Sequence, residues 1–495
     1  MPAETEPMRV LFAYRDDVDV DGGAASVMKQ TAAALGEIGV EVDITYEVCP
    51  DPRGYDVVHA WNVWLPGTAL KQLEHLREQG AVVVWQPFYL DLGEYTWANR
   101  AIPAVLGGQA TEERRAELVR ALAAGVVKVG DMTQRTVNEP VAGFHATVKR
   151  MLELVDHVCV CSTHEIQQLA QMARAAELRF TVARHGVDAD AFAGARPEPF
   201  LERFGVEDAI LCVGAVEGRK NQLMLCEALR GTGLPIVLVG PCYEPWYLDL
   251  CKQRGDNVLH TGRVPREMVA SALKAAALHV LPSFTEGSAL ASLEAAAAGC
   301  PVVVSNRSSE FEYYGDLARF CDPVDVESIR DTVLRAYEES HDPQWRAALS
   351  EHVRGYTWAD AATRSVEAYH RAHARRAGAE RRACGLETAR GRVLLAFADE
   401  LVSEPSLLDA YAAAYGADDD VTLAIRTGGL DGDTERALMQ AAAAAGLEGP
   451  GAPDLLALPA LTPEQEGILA RQAEGALTRR APAPPFDAVA PLHVG

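Results

Sequence analysis

The chain has 495 residues, 48% hydrophobic and 23% charged, too long for one core at about 100 to 200 residues per domain and too apolar for a disordered or fibrous protein. Its 46 basic against 70 acidic side chains give a formal net charge of -24, which excludes the broad phosphate-neutralising surface of a nucleic-acid binder. No apolar run approaches the ~18 residues of a membrane span, and the stretch Met1 to Pro7 has no basic targeting region, so the expected setting is the cytoplasm.

From residue 9 onward short β-branched runs alternate with helix-length amphipathic stretches, the pattern of a parallel sheet covered by helices on both faces. Strands are expected at Val10 to Tyr14, Val42 to Tyr46, Asp56 to Ala60, Val82 to Trp85 and His157 to Cys161, with helices at Ala24 to Leu35, Gly67 to Glu78 and Thr111 to Ala123. Residues 1–187 thus read as a Rossmann-like α/β domain. The turn-rich stretch Asp188 to Arg203, with two prolines and a glycine, reads as a hinge. A second series of strands follows at Ile210 to Val213, Ile236 to Val239, Val258 to His260, His279 to Leu281 and Val302 to Val304, giving a second such domain over 188–370.

After Tyr356-Thr357-Trp358 a long helical stretch runs to about Arg382. Residues 371–390 hold six arginines against two glutamates in an otherwise acidic chain and read as a basic linker. Its charge suits solvated interdomain structure or peripheral contact with an anionic membrane surface. Residues 391–495 carry six basic and sixteen acidic residues, and strands expected near 393, 420, 454 and 475 make a third, degenerate α/β domain. Where the second domain continues Leu281-Pro-Ser-Phe-Thr-Glu286-Gly287, the third has Leu477-Thr-Arg-Arg-Ala-Pro and no carboxylate or glycine, so a copied site is expected to be lost.

The ten cysteines lie mostly in apolar strand or helix patterns, among them Cys159, Cys161, Cys212, Cys226 and Cys300, and no C-x2-C pair suggests zinc. They read as buried thiols. His157 and His164 flank Cys159 and Cys161, but the alternation of faces along a strand makes packing the better account than a metal site.

The window Leu281 to Ser305 is the most informative: an apolar strand, a turn, then an Ala-rich helix ended by Gly299 and Pro301. Glu286 stands at the carboxyl end of the strand, where open α/β sheets bind ligands, and Gly287 opens a helix whose free N–H groups suit a phosphate. At ~100° per residue, seven steps from Gly287 return Glu294 to nearly the same face, in reach of a ligand lying along the helix.

This arrangement resembles the glycosyltransferase family 4 (group 1) enzymes, retaining transferases of GT-B fold marked by E-x7-E after a Pro-Ser strand end, which Glu286 and Glu294 match. The likeness extends to Tyr55-Asp-Val-Val-His59, Arg184-His-Gly-Val-Asp188, Gly214-Ala-Val-Glu-Gly-Arg219-Lys220-Asn221, Thr261-Gly-Arg-Val264-Pro and Tyr356-Thr-Trp358, across residues 9 to about 370. It implies two Rossmann-like domains facing a cleft. It also implies that Arg219 and Lys220 hold the donor's diphosphate with the amides of Gly287, Ser288, Ala289 and Leu290, while Glu286 bonds the donor sugar and Glu294 the ribose. Gly22 and Gly23, by the same likeness, face the diphosphate across the cleft. Gly214 lies beside that diphosphate and Val264 meets the base, which leaves UDP- and GDP-sugars equally open.

The resemblance further implies a front-face transfer in which the leaving phosphate takes the acceptor's proton, with cations and helix dipoles in place of a divalent ion and no other cofactor. The alternating carboxylates Asp16, Asp17, Asp19 and Asp21 are read as an acidic loop. Three departures from the family pattern stand out: Ala215 replaces a frequent arginine, Ser288-Ala289 replaces the usual Phe-Gly after Glu286-Gly287, and Gln86 falls where a histidine is common. Gln86, Tyr89 and Asp91, in an aromatic-rich segment with Trp61, Trp64, Tyr95 and Trp97, are the expected acceptor-side residues. The acceptor is expected to be a carbohydrate, a lipid-linked sugar or a small molecule. Two other readings remain: a nucleotide-sugar epimerase or phosphorylase on the same fold, and a non-catalytic subunit that binds a nucleotide sugar or glycan.

Overall fold

The structure, a computed structural model, describes residues 7–14, 22–63, 66–95, 144–173, 178–255 and 257–492. The expected helix at Thr111 to Ala123, the acidic run Asp16 to Asp21, Trp64 and Trp97 lie outside the described residues. The chain divides into two compact units, residues 1–372 and 373–495.

The first unit holds two six-stranded sheets. One is built from β1 (Arg9–Ala13), β2 (Glu41–Thr45), β3 (Val57–Trp61), β4 (Val83–Gln86), β5 (His157–Val160) and β6 (Phe180–Val182), in the order β2-β1-β3-β4-β5-β6. All its pairings are parallel. Parallel strands need both faces covered, so the central ones are buried throughout: VVHAW in β3 is buried at every position, His59 included, whereas the edge strand β2, EVDIT, is not. Successive residues serve opposite cores. Val10, Phe12, Trp61 and Val84 pack on one face, while Leu11, Ala13, Val58, Val83 and Trp85 pack on the other.

The second sheet comprises β7 (Ile210–Val213), β8 (Ile236–Val239), β9 (Val258–Gly262), β10 (Leu278–Leu281), β11 (Val302–Ser305) and β12 (Arg319–Cys321), in the order β12-β11-β10-β7-β8-β9. The chain runs outward from β7 through β9 and then returns to place β10 on the other side of β7. The crevice between β7 and β10 is therefore the switch point of this sheet, the place where open α/β sheets take ligands at their carboxyl ends. In the first sheet the corresponding crevice lies between β1 and β3.

The stretch expected as an irregular hinge contains two short helices, Ala189–Ala193 and Glu198–Phe204. Asp188 caps the first by accepting from the Ala191 amide at 3.3 Å, Pro197 is tolerated at the start of the second, and Gly205 ends it with φ 66°. The helix Trp358–Ala383 then returns to the first sheet and lays Ala362, Ala368, Tyr369 and Ala372 on its inner face. A side chain on Gly186 would meet the backbone nitrogen of Trp358 at 2.2 Å, so this crossing of two chain segments requires glycine.

Most of residues 371–390, expected as a linker, are the end of that helix. Several of their arginines are spent locally: Arg371 on Glu367, Arg376 on Glu380 at 3.3 Å, and Arg381 on the carbonyl of Arg390 at 2.9 Å. The second unit carries a four-stranded parallel sheet of β13 (Arg392–Phe397), β14 (Val421–Arg426), β15 (Asp454–Leu458) and β16 (Gly475–Leu477), in the order β15-β14-β13-β16. At its carboxyl edge, between β13 and β16, buried Glu400 accepts from the Thr478 hydroxyl at 2.6 Å and the Arg479 amide at 2.8 Å.

Candidate active site

The switch point of the second sheet gathers charge. After β7 the chain turns at Gly214 (φ 146°), pairs Val216 beside Cys242, and forms one tight turn over Gly218–Lys220. Asn221, in the left-handed region at φ 62°, fixes this turn: its amide donates to the carbonyls of Pro282 at 3.0 Å and Pro323 at 2.8 Å. Arg219 and Lys220 are thereby aimed at the end of β10. There Glu286 Oε1 accepts from Lys220 Nζ at 2.6 Å and from the Arg219 guanidinium at 3.0 Å. Arg219 also donates to Glu217 at 2.9 Å and to the Thr285 carbonyl at 3.0 Å. Burial alone raises the Glu286 carboxyl, but Arg219 and Lys220 outweigh it and hold the group at about 2. Burial works against the charge of Arg219, and Glu286 and Glu217 more than offset it, so its guanidinium is held charged.

Glu294 lies on the helix Leu290–Ala297 and does not join this cluster. It pairs with Arg266 at 3.1 Å, on the neighbouring helix Arg266–Ala275. Burial pushes its carboxyl up to about 7, with Arg266 opposing. Gly287 and Ser288 lead into this helix, Leu290 is its first residue, and Ala289 before it adopts φ 43°, a conformation that costs a residue with a side chain roughly 1 to 2 kcal/mol. Val264 packs partly buried against the core of the second sheet, just beyond Gly262 at φ 71°.

Beneath the cluster runs a buried polar chain that sequence reasoning missed. Glu310, with no exposed surface, accepts from Ser308 at 2.5 Å and from Ser292 at 3.2 Å, and Ser292 in turn lies 3.2 Å from His279 Nε2. Burial and the nearby Glu286 push the Glu310 carboxyl up to about 8.

On the side of the first sheet, Gly22 precedes the helix Gly23–Glu37 without a side-chain cap, and a side chain on Gly23 would meet nothing within 4 Å. The expected acceptor-side residues part company. Gln86 ends β4 with its side chain buried and its amide nitrogen 3.2 Å from His185 Nε2. Tyr89 turns instead into the opposite core, stacked on Phe144 at 6.5 Å, and Asp91 is exposed and accepts from the Gly93 amide at 2.9 Å. Asn62 (φ 81°) and Phe88 (φ 49°) both hold left-handed backbone at the carboxyl ends of β3 and β4, where strained residues cluster at functional sites.

Several contacts join the two sheets' domains at this edge. His185 Nδ1 lies 2.6 Å from Ser288 Oγ, and its ring sits between Phe88 at 5.8 Å and Trp358 at 6.1 Å. Glu312 accepts from the amides of Thr163 at 2.9 Å and His164 at 2.6 Å, at the head of the helix Thr163–Ala173, and pairs with Arg184. Arg307 bonds Glu94 at 3.1 Å and Asp322 at 3.0 Å, and the Tyr95 ring approaches Phe284 at 6.4 Å. Burial, Glu217 and Glu244 together push the Tyr95 hydroxyl up to about 12, against Arg219, so this first-domain tyrosine stands beside the charged cluster.

Residues 207–339, which include every member of that cluster, match the family described as Glycosyl transferases group 1. The O-antigen chain mannosyltransferase B of Escherichia coli is 31% identical over 189 residues, 34% of this chain and 48% of its own length. A D-inositol 3-phosphate glycosyltransferase of Mycobacteroides abscessus is 26% identical over 251 residues, 45% of this chain and 54% of its own. The chain thus spans about half the length of these curated relatives. A sucrose-phosphate synthase from Thermosynechococcus elongatus superposes with a TM-score of 0.54 at 18% identity, covering 74% of this chain and 99% of that one. The fold of the first unit is GT-B. Among the described residues no helix is long and apolar enough to cross a membrane.

Proposed function

We propose that this chain, whose residues 207–339 carry the group 1 glycosyl transferase match, is a retaining glycosyltransferase that moves a sugar from a UDP- or GDP-sugar to a hydroxyl of a carbohydrate, lipid-linked or small-molecule acceptor. The observation that carries it is the convergence of Arg219 and Lys220 on Glu286 at the switch point between β7 and β10.

In the reaction the bond from the sugar's anomeric carbon to the phosphate oxygen breaks, and its electron pair leaves with the nucleoside diphosphate. Two buried cations at that point stabilise the departing negative charge, in surroundings where they are worth more than in water. The acceptor oxygen bonds to the anomeric carbon on the face the phosphate leaves, and its proton passes to a phosphate oxygen. Glu286, ionised at any ordinary pH, offsets the positive charge that builds on the sugar ring. The cations supply the charge that a divalent ion supplies elsewhere, so we propose a metal-independent reaction. Glu294 and Val264 are assigned to the ribose and base. Ten unpaired cysteines, most of them buried, suit a reducing cytoplasmic setting.

The test is nucleoside-diphosphate release from a panel of UDP- and GDP-sugars, with and without pooled acceptors. Release from one donor, abolished by Lys220→Ala and by Glu286→Ala, supports the reading. No release with any donor, while nucleotides still raise the melting temperature, supports a non-catalytic binder instead.

A further inference from the structure

We propose that Ser288 presents its hydroxyl proton to a hydroxyl of the donor's transferred sugar, and that Gln86 and His185 hold it in that orientation from the far side of the cleft. The inference rests on the donor-binding reading above and specifies a contact within it.

The direction of the chain follows from valence. The Gln86 amide nitrogen, 3.2 Å from His185 Nε2, can only donate, so Nε2 must accept. A neutral imidazole has a single N–H, which then sits on Nδ1 and donates to Ser288 Oγ at 2.6 Å. Burial holds the His185 ring down at about 3, so it does not take a second proton under any working condition. With Oγ occupied as an acceptor, the serine's own proton is free to donate, and no described group receives it.

The ring cannot easily turn away. Its backbone amide donates to the Tyr313 hydroxyl at 3.2 Å, which donates to the Cys161 carbonyl at 3.0 Å, and Phe88 and Trp358 flank its faces. Ser288 itself stands two residues beyond Glu286, before the left-handed Ala289. The relay is uncharged from end to end. It therefore suits a neutral sugar hydroxyl, while the diphosphate belongs to Arg219 and Lys220. Because Gln86 comes from the first sheet and Ser288 from the second domain, the serine is oriented only when the two are in contact. Gln86 is then a positioning residue that acts through His185.

The experiment compares the full-length wild type with Ser288→Ala, Gln86→Met and the double variant. Two readouts are taken: kcat/KM for release of nucleoside diphosphate from the preferred nucleotide sugar, and calorimetric binding of the plain nucleoside diphosphate, which has no sugar. One neutral hydrogen bond predicts a loss of about three- to tenfold in kcat/KM for each single variant. The double variant is expected to be no worse than either, and plain diphosphate binding is expected to be unchanged. Multiplying losses in the double variant, a parallel fall in plain diphosphate binding, or single variants equal to wild type would each overturn the proposal. A wild type that binds and consumes no nucleotide sugar overturns the donor reading itself, and this proposal with it.

Discussion

Replacing Glu286 by glutamine removes the one negative charge shared by Arg219 and Lys220 while keeping the side chain's size, and the structure sets how much that should matter. The carboxyl is held at about 2 against an ordinary 4.5. A depressed carboxyl contributes stability that is complete above the unfolded value and is lost as pH falls toward the folded one. Moving it between those two values is worth about 3 kcal/mol at neutral pH and about 1 kcal/mol by pH 3. Removing one partner of a buried ion pair costs about 3 to 5 kcal/mol by an independent route. The two estimates meet at about 3 kcal/mol. Urea midpoints of wild type and Glu286→Gln, read from about pH 7 down to pH 3, should show that gap narrowing steadily below about pH 4.5. A gap that does not change with pH, or no gap at neutral pH, would refute the assignment of the carboxylate as the counter-charge of both cations.

Three further outcomes follow from the same geometry. Glu294 is raised to about 7, so its contribution is complete below 4.5 and lost as pH rises through the folded value. Between about pH 5 and pH 8 the melting temperature of Glu294→Gln should therefore move upward relative to wild type, and movement the other way would show that Arg266 dominates. Glu310, raised to about 8, is a neutral acid at pH 7. Because the unfolded carboxyl ionises above its ordinary 4.5, Glu310→Gln should gain stability relative to wild type as pH rises from about 4.5 through about 8, whereas Glu310→Ala should lie about 1 to 3 kcal/mol below Glu310→Gln by stranding Ser292 and Ser308. Gly186→Ala forces a carbon into the backbone of Trp358 at 2.2 Å and should cost about 3 kcal/mol or more in chemical denaturation.

The alternation of apolar runs with helix-length stretches made the sheets legible, because a strand buried on both faces, such as ILCV or VVVS, has little else it can be. The short strands Phe180–Val182 and Arg319–Cys321 escaped notice because three residues carry too little periodicity to read. Arg219, Lys220 and Glu286 were visible as linear motifs, but their meeting depends on β10 crossing back beside β7, which no local pattern encodes. The segment Trp85 to Asp91 was misleading for a definite reason. Pro87 and the left-handed Phe88 break the strand's alternation there, sending Phe88 toward Trp61 and Tyr89 into the opposite core. His185 and Glu310 become polar partners only through residues about a hundred and about twenty positions away, at Gln86 and Ser292.

The charge balance of the cluster bears on how the site would work. Arg219 and Lys220 are the cations of this cluster, and Glu286 and Glu217 neutralise both. A diphosphate entering such a site does not meet two idle cations. It must draw them from their carboxylates, and the energy of the existing ion pairs is subtracted from ground-state binding. In the proposed transfer, phosphate charge would grow as the sugar leaves and the cations would gain more from it, while the carboxylate they have released would lie beside a ring that is turning positive. Interactions that strengthen only as the bond breaks accelerate the step instead of tightening the resting complex. On the proposed reading, a cluster that is neutral at rest is thus better suited to the transition state than to the substrate.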